Sequence, residues 1–227
     1  MAFHQQLIVE SLFPAVTMTS YIHLQVCDEF IRRLEVNPNT EADLKALGTA
    51  MLNHYFSPAQ RYLVDAMRFP DARRNNHDHE LQFLRVRKMV SDEYSRNRSL
   101  LDHARVLIES EERATTMVST HPSYYLRPSS LAQLQEPLEN ATTASGTCWV
   151  LHLRGPKIQF YRFTQTPSFG EFEMQNPLRP LVLPLVNVDV MAESNLGHAS
   201  TYHLRNDAGL IDAAFRHIAS AAMQGGY

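Results

Sequence analysis

Glycine is scarce, with eight residues in a chain of 227. That scarcity argues against the glycine-rich loops that cradle phosphates, and no G-x-G-x-x-G, Walker, G-x-S-x-G or H-E-x-x-H pattern occurs. Cysteine is scarcer still: Cys27 and Cys148 alone cannot build a disulfide framework or a zinc cage. No apolar run approaches the roughly 18 residues of a membrane-spanning helix. The opening Met1-Ala2-Phe3-His4-Gln5-Gln6 lacks the basic start and apolar stretch of a secretory signal. The expectation is therefore an intracellular protein without a membrane partner. Neither sign of charge dominates, since 21 basic against 24 acidic residues give a net charge of −3. A surface devoted to nucleic acid would be more basic. Lysine is nearly missing as well: Lys45, Lys88 and Lys157 stand against arginine everywhere else. Arginine suits ion-paired and interface positions better than lysine does.

What is present is hydrophobic material, 44% of the chain, with nine methionines and eleven phenylalanines. The first half carries it at helical spacing. Ile22, Val26, Phe30 and Leu34 make one stripe between Thr17 and Glu35, and Asn37-Pro38 ends it. Asn39 or Thr40 caps a second helix to about Phe56, with Leu44, Leu47, Met51 and Leu52 inward. Ser57-Pro58-Ala59-Gln60 has the form of a capping box and predicts a third helix bearing Tyr62, Leu63, Ala66 and Met67 as far as Phe69-Pro70. From His77 to Met117, Phe83, Val86, Val90, Tyr94, Asn97, Leu101, Ala104 and Ile108 step by three or four residues. That spacing fits a bundle helix, the favoured reading, or a self-associating coiled coil.

The pattern changes after residue 118. His121-Pro122, Arg127-Pro128 and Glu136-Pro137 interrupt the chain, and residues 140–146 are polar. Beyond them the residues alternate as strands do, over 149–153, 158–163, 169–174 and 182–190, with a short fifth run at 201–205. Gly155-Pro156 turns the first two into a hairpin. A closing helix from about Ala208 bears Leu210, Ile211, Ala214, Phe215 and Ile218 and needs a sheet face to cover. The expected fold is α+β: an N-terminal helical bundle over 1–118, a connecting segment over 119–145, and a mixed region over 146–227. In that last region a small, mainly antiparallel sheet carries the C-terminal helix.

Chemistry-bearing residues are few. Asn76-His77-Asp78-His79-Glu80 is the densest group of potential ligands, but its composition is that of a helix cap and no distant ligands complete a metal site. No metal and no cofactor are expected. Ser145-Gly146-Thr147-Cys148-Trp149 places a cysteine between small residues and an aromatic, and Ser200-Thr201-Tyr202-His203-Leu204 follows downstream with Gly225-Gly226 near the end. Over this C-terminal third the order resembles the papain-like leader cysteine proteinases of potyviruses and hypoviruses. The resemblance implies Cys148 as nucleophile and His203 as general base, with His198 as runner-up base and self-cleavage in cis near the C-terminus. The run from Cys148 to Arg154 alternates, whereas the family's nucleophile opens a helix.

Arg85, Arg87, Lys88, Arg96, Arg98 and Arg105 form a local basic strip, a candidate contact for RNA. Asp92, Glu93 and Asp102 interleave with it, as on an ion-paired surface. With no complete catalytic motif, the leading expectation is a non-enzymatic structural or interaction protein that assembles with itself or with a larger complex. A virus-encoded, capsid-associated assembly subunit is the version suggested by the resemblance, and the cysteine leader protease is the alternative.

Overall fold

The computed structural model describes residues 19–70, 80–91, 98–110, 138, 140–143, 146–164, 178–183 and 200–224. A short 3-10 turn at Tyr21–His23 leads into α1 (Gln25–Val36) and α2 (Glu41–Tyr55). β1 (Tyr62–Pro70), β2 (Glu80–Ser91), β3 (Arg98–Glu109), β4 (Thr147–Arg154), β5 (Lys157–Thr164), β6 (Leu178–Leu181) and β7 (Tyr202–His203) follow, and α3 (Ala208–Gln224) closes the chain. The strands make one seven-stranded sheet in the order β1-β2-β3-β4-β5-β6, and β7 pairs with the opening end of β5. Every pairing is antiparallel except that of β3 with β4.

The α+β class fits, but the expected N-terminal helical bundle and small following sheet do not form. The third and fourth expected helices are β1, β2 and β3. After Ser57 the chain makes only a single 3-10 turn, Pro58–Gln60, because Arg61 takes a left-handed φ of 66° and ends it. Tyr62-Leu63-Val64 then favours extended backbone. Over Phe83-Leu84 in β2 and Val106-Leu107-Ile108 in β3 both sheet faces are buried, so apolar residues stand side by side and steps of three or four arise by coincidence. The pairing of β3 with β4 joins the two halves of the chain in one sheet. Position 118 and most of 119–145 lie outside the described residues, as do 169–174 and 184–190.

One face of the sheet carries the helices. α1 buries Leu34 as expected, together with Cys27 and Ile31; Ile22 and Phe30 of the expected stripe pack partly buried against the same core, and Val26 is half exposed. α2 buries Leu44, Leu47, Met51, Leu52 and Tyr55, and its Gly48 lies so close to the sheet that a Cβ there would come within 2.9 Å of Leu84. α3 buries Ile211, Ala214, Phe215 and Ile218 as expected, but Leu210 of the same expected stripe stands exposed. Their partners from the sheet are Leu84, Val86, Ala104, Val106, Ile108, Leu151, Leu153, Ile158 and Phe160.

Polar tips of aromatic residues fasten α3 and the turn before it to this layer. The Tyr21 hydroxyl donates to the Leu204 carbonyl, Tyr55 to Asp212, and Tyr62 to the Ala219 carbonyl at 3.2 Å. The pairing of β2 with β3 slips by one residue between Val86 and Arg87, which makes His103 a bulge residue. Its Nε2 meets the Ile218 carbonyl at 2.9 Å, between the rings of Phe56 and Tyr62. Burial, aided by the charge of Lys88, holds the His103 imidazole down to about 4, against the pull of the Ile218 carbonyl. Below the ordinary value of 6.5 the unfolded chain binds a proton that the folded chain refuses. Stability at this site is thus complete above about pH 6.5 and falls as pH drops towards 4, by about 3 kcal/mol in all. Urea unfolding of the parent and of His103→Gln at pH 7 and pH 4.5 checks this. The parent is expected to lose more stability than the variant, and equal losses would refute the role.

Candidate buried polar site

The opposite face of the sheet is built from residues of the other parity. Phe83, Leu107, Cys148, Val150, Tyr161, Phe163 and Leu178 form a second apolar cluster there, joined by Leu138. Beside it runs a set of charges drawn from three strands. Asp65 on β1 accepts from Arg85 at 2.7 Å and from Arg87 at 3.1 Å, both on β2. Asp102 on β3 accepts from Arg105 at 2.8 Å and lies 3.7 Å from Arg85. The bulge at His103 puts Asp102 and Arg105 on one face, although they are three residues apart in a strand. Farther along, at the carboxyl ends of the two parallel strands, His152 Nε2 meets Glu109 Oε2 at 2.9 Å.

These groups are deeply buried: Asp102, Arg105, Glu109 and His152 are 6%, 5%, 2% and 6% exposed. Charges at that depth are tolerated because they are paired, and removing one member strands the other. Among the described residues, Arg87 Nε, Asp102 Oδ1 and His152 Nδ1 are atoms of the set for which no hydrogen bond is made. Among the described residues no three His, Cys, Asp or Glu side chains gather as a cation site. Three arginines crowding two aspartates would also repel a cation.

Cys148 lies near the start of β4, on this same face, and is 2% exposed. Its Sγ donates to the Trp149 carbonyl at 3.4 Å, and burial pushes the thiol up to about 12. A nucleophilic cysteine needs the opposite: an accessible thiolate beside a base. Cys148 opposes Phe163 on β5, while His203 opposes Lys157. Six residues of strand separate those positions, about 20 Å at roughly 3.3 Å per residue. His203 is engaged in the turn before α3, where its Nδ1 accepts the Arg205 backbone N–H at 3.2 Å and its own N–H donates to Asp207 at 2.7 Å. The fold does not bring Cys148 and His203 together. His198, His77, His79 and Gly225-Gly226 lie outside the described residues.

Of the basic strip, the structure does unite Arg85, Arg87 and Arg105, but on an interior face with carboxylates against them. Asp65, Glu109 and His152 went unread in the sequence. The signal that marks the face is the alternation Leu84-Arg85-Val86-Arg87, a strand pattern with arginine on the second side. No family model, curated protein or solved structure matches the chain.

Proposed function

We propose that this chain is a non-enzymatic structural or interaction protein that works by assembling with itself. The observation that carries the reading is the outer edge of β1. This strand ends the sheet, is nine residues long, and among the described residues has a strand on one side only, β2. Its outward N–H and C=O groups are a ready template for another strand. Of the devices that commonly blunt such edges, β1 carries the charges Asp65 and Arg68 and a terminal Pro70, but it is neither short nor bulged and has no lysine. Large apolar side chains stand open at the same corner: Leu63, Met89 and Val90 are 43%, 37% and 39% exposed. The buried charges of the second face are paired with one another and serve as framework. No helix among the described residues is long and apolar enough to cross a membrane.

Sedimentation velocity over a wide range of protein concentration tests the reading. A mass that rises to a dimer or a larger closed species is expected. A strict monomer at every concentration would overturn it.

A further inference from the structure

Resting on that reading, we infer that the partner is a second copy joined antiparallel along β1, with a two-fold axis passing through Ala66. An axis normal to the sheet brings like edge to like edge. It also keeps both helix layers on one side, so the pair forms a continuous sheet of twice the seven strands. Because each sheet face continues into the same face of the partner, residues that oppose one another must share parity. A residue, and not the gap between two residues, therefore sits on the axis.

The sequence of β1 selects which one. An axis at Asp65 or at Arg68 sets that charge directly opposite itself, which antiparallel pairs disfavour. An axis at Ala66, the middle of Tyr62–Pro70, uses all nine residues, and every other choice leaves strand unpaired. In that register Leu63 opposes Phe69, Val64 opposes Arg68, Asp65 opposes Met67 and Tyr62 opposes Pro70. No like charges meet, and Asp65 is already neutralised by Arg85 and Arg87 of its own sheet. Ala66 is exposed, so substitution there leaves the folded monomer intact.

Placing one charge on the axis makes it face its own copy. Ala66→Lys and Ala66→Glu, each alone, are expected to weaken self-association by at least about tenfold, and an equimolar mixture to restore it. Ala66→Cys adds a geometric readout, since directly opposed residues lie about 4.5–5.5 Å apart at Cα, within disulfide reach. Cys27 and Cys148 are both buried and do not compete. Under mild oxidation Ala66→Cys is expected to cross-link to itself. Leu63→Cys, whose copies stand about 20 Å apart in this register, is not. Self-association that survives Ala66→Lys, with no link at position 66, would overturn the β1 axis while leaving self-assembly standing. A parent chain that never associates would overturn both.

Discussion

A chain ending at Asn206 is expected to be insoluble or to lack a cooperative melt, because α3 closes the core from one side. Ile211, Ala214, Phe215 and Ile218 are all buried, and Phe215 stacks on Tyr55 at 4.9 Å and meets Phe160 edge-on at 5.9 Å. Burying the three large side chains contributes about 2–3 kcal/mol each, so on the order of 6–9 kcal/mol leaves with the helix. Domains of this kind have about 5–15 kcal/mol in total. Truncation also strips the acceptors from His103, Tyr55 and Tyr62, which are held by the Ile218 carbonyl, Asp212 and the Ala219 carbonyl. Phe215→Ala is the milder version, with an expected loss of about 3–5 kcal/mol in urea unfolding. A truncated chain that stays soluble and melts cooperatively would mean that the helix is dispensable to the core.

Asp102→Ala is the second large effect. Asp102 and Arg105 are buried together on the second sheet face, and Arg85 leans on the same carboxylate. Removing the carboxylate leaves guanidinium charge in a place from which water is largely excluded. Such a break typically costs about 3–5 kcal/mol, far more than an exposed ion pair is worth. Asp102→Asn keeps an acceptor and is expected to lose less. Chemical denaturation of the three proteins at neutral pH orders them. An alanine variant within about 1 kcal/mol of the parent would place Asp102 outside the framework.

The legible parts of the fold are those with one buried side or an explicit turn. α2 and α3 have wide apolar stripes against a polar back, and they were read at nearly their true limits. The β4–β5 hairpin was read from Gly155-Pro156, and Gly155 does take the positive φ, 51°, that glycine accepts without strain. β1 to β3 were not legible as strands. Phe83-Leu84 and Val106-Leu107-Ile108 serve two cores at once, so alternation disappears where burial is greatest. Arg85, Arg87 and Arg105 looked like a solvated helix face because arginine is seldom interior. Their pairing with Asp65 and Asp102 depends on strand register, which no local pattern states. The bulge at His103 added to the ambiguity by giving Asp102 and Arg105 the spacing of a helical ion pair.

The site was less legible than the fold. Cys148 stands out through its neighbours Gly146 and Trp149, but Gly146 precedes, and Trp149 lies within, a strand that turns the thiol into the second core. The distance to His203 is set by the length of β5, and the sequence alone does not say that both residues are measured against that strand.

Hydrogen–deuterium exchange of β1 at low and at high protein concentration tests self-assembly through this edge most directly. Among the described residues, β2 occupies the inner side of β1 and no strand pairs with its outward amides between Leu63 and Phe69, so a strand from another copy is expected to protect them. Exchange over these residues is expected to slow as concentration rises, and Ala66→Lys to abolish that slowing. Identical exchange at both concentrations, or concentration-dependent protection confined to other elements, would contradict assembly along β1.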